Sequence, residues 1–178
     1  MLTINDVFPD FQLTAVVSAD RNTAFQDLSL NDLNDQWKII FFWPKDFTFV
    51  CPTEIMGFGK LDNAFKQRNT QLIGASTDSD YVHFAWREHN SLLRDSPFPW
   101  LADIKKELAG KLGILDEESG VARRATFIVG PDNVIRHVSV NADKVGRNPQ
   151  EMLRILDALQ TDELCACDWQ IGEETLGA

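Results

Sequence analysis

The residues of this chain best suited to covalent chemistry are its three cysteines, Cys51, Cys165 and Cys167. Cys51 lies between a short apolar run and the start of a predicted helix, and Pro52 follows it directly. Because proline suits a first helical turn, Cys51 falls at a helix N-terminus, where free N–H groups and the helix dipole stabilise an anion. This position favours a thiolate nucleophile, although a small buried cysteine fits the same spacing equally well.

Two further residues, Thr48 and Pro44, precede Cys51 in the sequence and add to this chemistry. Thr48 precedes it by three positions, so in a turn or helix its hydroxyl reaches the sulfur. Pro44 fixes the entry of the loop and shields the sulfur from water. The three histidines are scattered and offer no Cys-His pair, which argues against protease-like chemistry. A thioredoxin-like disulfide reductase carries Cys-x-x-Cys at the helix start, whereas here Pro52-Thr53-Glu54 follows the cysteine.

The elements around Cys51 predict an α/β sheet. The apolar run 38–43 predicts a central strand, residues 53–68 predict one amphipathic helix, and residues 71–76 predict a second strand. Such a strand–helix–strand unit is almost always a right-handed crossover. Cys51 then lies at the carboxyl end of the first strand, where open α/β sheets hold their sites.

Downstream, the pattern predicts an antiparallel hairpin and three more helices. The hairpin joins residues 126–129 to residues 134–140 across a Gly-Pro-Asp-Asn turn. The helices are predicted over residues 79–90, 103–112 and 149–160. Together these elements predict a thioredoxin-like fold, with a central mixed β-sheet flanked by helices and a C-terminal tail. We expect one domain over residues 1–160 and a tail over residues 161–178.

Composition excludes several classes of function. The 178 residues include 17 Lys plus Arg and 27 Asp plus Glu, a net charge of −10, which disfavours nucleic acid and anionic membrane surfaces as partners. The longest apolar stretch, residues 39–43, is far shorter than the ~20 residues of a membrane span. The N-terminus soon reaches Asp6 and Pro9, unlike a secretory signal, so we expect a cytoplasmic protein.

The segments around these residues resemble a known family. Pro44-x-x-x-Thr48-x-x-Cys51 matches the peroxiredoxin active-site motif, and residues 47–55 are similar to the typical two-cysteine peroxiredoxins nearly letter for letter. The tail Cys165-Ala-Cys167 resembles that of the actinobacterial alkyl hydroperoxide reductase C subfamily. Further similarity covers residues 8–14, 83–86, 124–129, 145–148 and 163–165.

The resemblance implies a thiol-dependent peroxidase for hydrogen peroxide and small alkyl hydroperoxides, which needs no metal or organic cofactor. It makes Cys51 the peroxidatic cysteine and places Pro44, Thr48 and Arg124 around the peroxide. Arg123 would point the other way on a strand.

Glu54 and Arg147 are candidate supporting residues. An acid in a first helical turn is also expected from the dipole alone, and a solvated loop arginine would look like Arg147. His83 and Trp86 are expected to be packing residues.

The tail implies how the oxidised cysteine is reset. Cys165 lies four residues before Trp169, which matches the family's resolving cysteine, and the family joins that residue to Cys51 of the neighbouring subunit. This implies a two-fold homodimer, assembled into rings in the family, and an AhpD-like or thioredoxin-like dithiol reductase as partner.

Several alternatives stay open for the tail and for the assembled protein. Cys167 is either a disulfide relay or a spare thiol, while a Cys-x-Cys metal site is disfavoured because a closed zinc site needs four ligands. A holdase-chaperone role beside catalysis is left open. The chain lacks the Tyr-Phe ending and Gly-Gly-Leu-Gly stretch of peroxide-sensitive relatives, which predicts resistance to overoxidation.

Overall fold

A computed structural model describes residues 1–177 of the chain. Strands and helices alternate along most of it. In chain order the elements are β1 Gln12–Val16, β2 Phe25–Ser29, β3 Trp37–Phe42, α1 Cys51–Gly59, α2 Asp62–Lys66, β4 Thr70–Ser76, α3 Asp80–His89, β5 Trp100–Ala102, α4 Glu107–Leu112, β6 Leu115–Asp116, β7 Val121–Ala122, β8 Arg124–Val129, β9 Ile135–Asn141 and α5 Pro149–Thr161. The expected tail ends at Ala178, which lies outside the described residues.

Seven strands form one mixed sheet in the order β2-β1-β5-β4-β3-β8-β9. The pairs β3–β4 and β4–β5 are parallel, and the remaining neighbours are antiparallel. The parallel unit from β3 through α1 to β4 and the β8–β9 hairpin are both as the sequence predicts. The expected thioredoxin-like fold, a mixed sheet flanked by helices, is confirmed.

Strand β3 is central because its side chains are apolar on both faces. Ile40 and Phe42 pack into the core on one face of the sheet, while Ile39 and Phe41 pack into the core on the other. All four are fully buried. The strand is therefore held from both sides, and the chain leaves its carboxyl end directly into the loop that carries Cys51.

The prediction of a single helix over residues 53–68 is wrong. The structure has α1 and α2 with a break at Lys60 and Leu61, and the backbone of Leu61 is non-helical, with φ −100° and ψ 1°. A Cβ on Gly59 would lie 3.3 Å from the ring of Pro97, so the end of α1 approaches that proline closely. The short helix α2 follows after this break.

The helix expected over residues 103–112 begins later, at Glu107. Lys106 has a left-handed backbone, with φ 61°, so the chain before Glu107 is not helical. The buried carboxylate of Asp103 accepts the N–H groups of Leu108 and Ala109 at 3.2 and 2.8 Å, which satisfies free donors of the first turn. Asp103 is thus a capping residue and not the first residue of the helix.

Within residues 1–177, no helix combines the length and apolar character needed to cross a bilayer.

Candidate active site

Cys51 is the first residue of α1 and is 1% exposed. It follows the loop of residues 43–50 between β3 and α1, called the Cys51 loop below. Val50 is the N-cap, and Pro52 is in the first turn, as the sequence predicts. The sulfur therefore lies at the positive end of a nine-residue helix, next to the carboxyl end of a central strand.

The hydroxyl of Thr48 lies 3.0 Å from the Cys51 sulfur and 2.9 Å from the carbonyl oxygen of Lys45. A hydroxyl has one proton, so it donates to one of these acceptors at a time. When Cys51 is a thiol, its S–H can donate to Thr48 Oγ1 while Thr48 donates to Lys45. When Cys51 is a thiolate, the hydroxyl can turn to the sulfur. Thr48 can therefore form a hydrogen bond with the sulfur in both the thiol and the thiolate form of Cys51.

Arg124, the first residue of β8, brings a buried guanidinium to the same sulfur. Its Nη1 lies 3.6 Å from Cys51 Sγ and also donates to Glu54, while Nη2 donates to the carbonyl of Asp143 at 2.8 Å. Its Nε has no partner among residues 1–177. Burial alone would lower the pKa of Arg124, but the hydrogen bond and charge of Cys51, with the charge of Glu54, outweigh it and raise the pKa. Arg123 is exposed.

Arg147 is a buried part of the site and not a solvated loop residue, since its side chain is 2% exposed. Its Nε and Nη2 donate to the two carboxylate oxygens of Glu54 at 2.8 and 2.9 Å. Its Nη1 donates to the carbonyls of Phe42 and Ala125, both at 2.9 Å, and the guanidinium lies over the ring of Phe41. Burial lowers the pKa of Arg147, and Glu54 offsets only part of this.

The buried charged side chains next to Cys51 have an excess of positive charge. Two guanidinium groups, Arg124 and Arg147, face one carboxylate, Glu54, and all three side chains are nearly fully buried. The cluster therefore carries one more positive than negative charge. Because uncompensated buried charge is costly, an anionic group bound next to it is favoured.

A pocket of about 390 Å³ opens onto the sulfur. Pro44, Thr48, Cys51 and Arg124 all line it, so the structure brings together the four residues that the motif singles out. Pro44 is half-buried at the start of the loop. The space and the donors around it are suited to a small polar molecule that develops negative charge next to Cys51.

The tail cysteines lie elsewhere, at the end of α5. Cys165 is half-buried, with its sulfur 3.5 Å from Thr161 Oγ1 and 3.8 Å from the carbonyl of Ala158. Cys167 is exposed, and Trp169 is 4% exposed, so the tail is anchored against the helix two residues beyond Cys167. No residue lines both the Cys51 pocket and the pocket beside Cys165.

Sequence reasoning missed the role of two residues near the site. Asp46 in the Cys51 loop is 7% exposed and was not singled out, and His83 was expected only to pack. The two side chains form a buried pair, His83 Nδ1 to Asp46 Oδ2, at 2.7 Å. They are 37 residues apart, and the sole signal in the sequence is that His83 lies in a segment resembling the family. Among residues 1–177, no three His, Cys, Asp or Glu side chains are grouped to hold a metal ion.

Comparison with known proteins shows the family to which the chain belongs. Residues 4–138 match the model of the AhpC/TSA family. Alkyl hydroperoxide reductase C of Mycolicibacterium smegmatis is 50% identical over 186 residues, covering 100% of this chain and 95% of the relative. The structure of Mycobacterium tuberculosis AhpC superimposes with a TM-score of 0.87 at 48% identity, covering 96% of this chain and 99% of that chain. Reduced 2-Cys peroxiredoxin of Plasmodium vivax gives a TM-score of 0.90 at 30% identity, covering 98% and 92% of the two chains. The chain therefore belongs to the AhpC/TSA family, and the resemblance of its motifs to the peroxiredoxins is confirmed.

Proposed function

We propose that Cys51 reduces hydrogen peroxide and small alkyl hydroperoxides and is then reset through a disulfide with Cys165 of the partner subunit. The family and the named relatives identify the protein as a thiol-dependent peroxidase. The observation that carries the assignment to Cys51 is its position, with Thr48 at 3.0 Å and Arg124 at 3.6 Å from a buried sulfur at a helix N-terminus.

In the first step, the Cys51 thiolate attacks one peroxide oxygen, and the O–O bond breaks. The sulfur is oxidised to a sulfenic acid, while the other oxygen leaves as an alkoxide or hydroxide and takes up a proton to give an alcohol or water. Negative charge moves from the sulfur to the departing oxygen, so donors fixed between these positions stabilise the transition state best. Thr48 Oγ1 and Arg124 Nη1 are placed for this role.

In the second step, the thiol of the partner subunit's Cys165 attacks the sulfenic sulfur, forming a disulfide and releasing water. Support for an intersubunit reaction comes from the separate pockets of Cys51 and Cys165 in one chain. Strand β9 lies at one edge of the sheet, where its first residue, Ile135, pairs with the N-terminal segment; a second copy related by a two-fold axis can add to the part of the strand beyond Ile135. The family resemblance extends this homodimer to a ring.

In the third step, an external dithiol protein, AhpD-like or thioredoxin-like, reduces the disulfide and becomes oxidised itself. Exposed Cys167 is two residues from Cys165, and we assign it to passing the disulfide outward to that protein. Residues 1–160 would act as the catalytic domain and the tail as the mobile arm. A cycle that needs three free thiols fits a reducing compartment such as the cytoplasm.

The test is stopped-flow tryptophan fluorescence of the reduced protein mixed with hydrogen peroxide. The wild type should react at least about a thousandfold faster than Cys51→Ser, because the thiolate is the nucleophile. Cys165→Ser should keep the fast first phase but form no intersubunit disulfide on a non-reducing gel. A wild-type reaction as slow as that of Cys51→Ser contradicts the peroxidase assignment, and a normal disulfide in Cys165→Ser contradicts the resolving assignment.

A further inference from the structure

One residue in the middle of the Cys51 loop carries most of the loop's polar anchoring. Asp46 accepts the indole N–H of Trp43 at 2.6 Å with one carboxylate oxygen and contacts His83 Nδ1 at 2.7 Å with the other. Its backbone N–H donates to the carboxylate of Asp78 at 2.9 Å. Asp78 is further held by Ser76, through contacts of 2.9 and 3.1 Å. Asp46 thus ties the middle of the loop to Trp43 after β3 and to Asp78 after β4, in addition to the backbone bond from the Trp43 N–H to the carbonyl of Ala75 at 3.0 Å.

His83 connects this point to the sheet. Its side chain is fully buried in α3, and its second ring nitrogen, Nε2, lies 3.1 Å from the carbonyl oxygen of Leu101 in β5. Both ring nitrogens therefore face oxygen atoms in the protein interior. The ring also packs against Trp43 and Trp100, with centroids 5.4 and 5.8 Å apart. Rotation of His83 is blocked, so it presents a fixed partner to Asp46.

The pair could be taken for part of a hydrolytic triad, because Ser76 Oγ lies 3.5 Å from His83 Nε2. Burial argues against this. Ser76 and His83 are both 0% exposed, so no substrate reaches the hydroxyl. Ser76 is also engaged with Asp78. Asp46 and His83 therefore have no substrate of their own, and any effect on the reaction is through the position of the Cys51 loop.

The part of the Cys51 loop that follows Asp46 is largely exposed and in part strained. Phe47, next to Asp46, has φ 55°, a left-handed conformation that is costly for a bulky side chain. Its ring packs on Trp86 at 5.9 Å but is 58% exposed, and Phe49 is 94% exposed. Opening of the loop would relieve this strain, so the strain favours opening. The buried pair of Asp46 and His83 opposes that opening from the protein interior.

The proposed disulfide step requires the loop to open. Cys51 is 1% exposed, whereas a disulfide needs the two Cα atoms within about 4.4–6.8 Å and a direct path between the sulfurs. A second thiol cannot meet that geometry while the first turn of α1 and the loop cover the sulfur. The peroxide step has the opposite need, because Thr48 must stay next to the sulfur. The closed Cys51 loop therefore favours the peroxide step, and the open loop favours the disulfide step.

We propose that Asp46 and His83 are positioning residues that hold the Cys51 loop closed for the peroxide step and set how often it opens for disulfide formation. This inference rests on the proposed function of Cys51 and goes beyond it. Weakening the pair makes opening more frequent. Disulfide formation then competes better with a second oxidation of the sulfenic acid to the sulfinic acid, a step that consumes a second peroxide.

The test compares Asp46→Asn and His83→Gln with wild type and with a matched control. His89→Gln is the control, because His89 lies in the same helix, is 72% exposed and contacts only the carbonyl of Ala85, at 2.8 Å, and the exposed carboxylate of Glu88, at 3.9 Å. Hydrogen–deuterium exchange is measured first, on reduced protein without peroxide. We expect exchange in residues 43–50 to rise about tenfold in both loop variants, as for loss of a hydrogen bond to a charged group. Exchange in β3 and β4 should not change.

Stopped-flow measurements follow on the same proteins. In both loop variants the disulfide phase should be at least about fivefold faster relative to the peroxide phase, and less Cys51 sulfinate should form per turnover by mass spectrometry. A residue with a merely structural role would lower the melting temperature without changing this ratio. Unchanged exchange in residues 43–50, equal acceleration in every peptide, or an unchanged ratio of phases overturns the proposal.

The two proposals fail separately. Exchange is measured without peroxide, so it reports on the restraint of the loop even if Cys51 is not the nucleophile. If residues 43–50 exchange faster while Cys51→Ser reacts like wild type, the restraint stands and the peroxidase assignment fails. If Cys51→Ser is inactive and exchange is unchanged, the peroxidase assignment stands and the proposed role of Asp46 and His83 fails.

Discussion

At the scale of single residues, the site depends on a few donors aimed at one sulfur. Thr48 is the closest of them, and its hydroxyl has a second acceptor in the carbonyl of Lys45. When Cys51 is a thiol, the Thr48 hydroxyl keeps a hydrogen bond to the Lys45 carbonyl. When Cys51 is a thiolate, the same hydroxyl can donate to the sulfur. Glu54 has a different part, because it touches no sulfur but fixes the guanidinium groups of Arg124 and Arg147 by ion pairs inside the protein.

Replacing Thr48 by valine keeps the shape of the side chain and removes the donor. We expect the rate constant of the peroxide phase to fall about 10²-fold, the usual effect of removing one transition-state donor. Thr48→Ser keeps the hydroxyl and should recover most of the rate. Stopped-flow fluorescence measures both. Equal rates in Thr48→Val and wild type would show that the hydroxyl does not act on the reacting oxygen, and equal losses in both variants would show that the hydroxyl is not sufficient without the methyl group.

At the scale of elements, the start of α4 depends on a buried carboxyl group. Asp103 is 0% exposed, and burial raises its pKa above the ordinary value of 3.8, although its hydrogen bonds from backbone N–H groups oppose this. Between 3.8 and the raised folded value, the folded chain binds more protons at this site than the unfolded chain. The contribution of Asp103 to the free energy of unfolding therefore falls as pH rises through that window.

Urea unfolding at a series of pH values tests this sign. The difference in unfolding free energy between wild type and Asp103→Asn should fall as pH rises from about 3, by about 1.4 kcal/mol for each unit of pKa difference, and then level off. Asp116→Asn is the control, because the contribution of Asp116 to the free energy of unfolding should change with pH in the opposite direction. Hydrogen bonds from Ser119 lower the pKa of Asp116, so its contribution is present above 3.8 and lost as pH falls. Parallel trends in the two variants would contradict the assignment.

The elements that could be predicted are those whose side chains carry their own periodicity. Strand β3 is an unbroken apolar run, and α5 has one apolar face, so both were expected nearly at their observed bounds. Strands β1 and β2 were missed because they mix polar and apolar side chains near one edge of the sheet, and β5 has just three residues. These strands exist because a neighbouring strand is available for pairing, which no local pattern encodes.

The same distinction between local pattern and long-range contact applies to the residues of the site. Cys51 and Thr48 lie three positions apart, so spacing along the chain predicts their contact. The contact of Glu54 with Arg147 spans 93 residues, and that of Asp46 with His83 spans 37. Burial of such charged groups follows from the sheet that brings their segments together. The family motif indicates Arg124 without a physical derivation, and no pattern indicates Asp46.

At the scale of the whole molecule, the proposed cycle needs a second subunit, and edge strand β9 is its candidate contact. Val140 in this strand is 39% exposed, and lysine on an edge strand opposes pairing with another chain. We expect Val140→Lys to shift the mass in analytical ultracentrifugation toward the 20.1 kDa of one chain. Leu92→Lys, at an exposed apolar residue beyond α3, adds the same charge and should not change the mass.

Loss of the dimer should change the kinetics in a specific way. Within a dimer, the partner subunit's Cys165 has an effective concentration on the order of 1 mM, so about 10 μM of separated subunits should form the disulfide about 100-fold more slowly. The rate of that phase should also become proportional to protein concentration, while the peroxide phase should not change, because Thr48, Cys51 and Arg124 all belong to one chain. A disulfide phase that stays fast and independent of concentration in monomeric Val140→Lys would mean that Cys165 reaches Cys51 of its own chain, and the tail would then have to leave α5 without a partner.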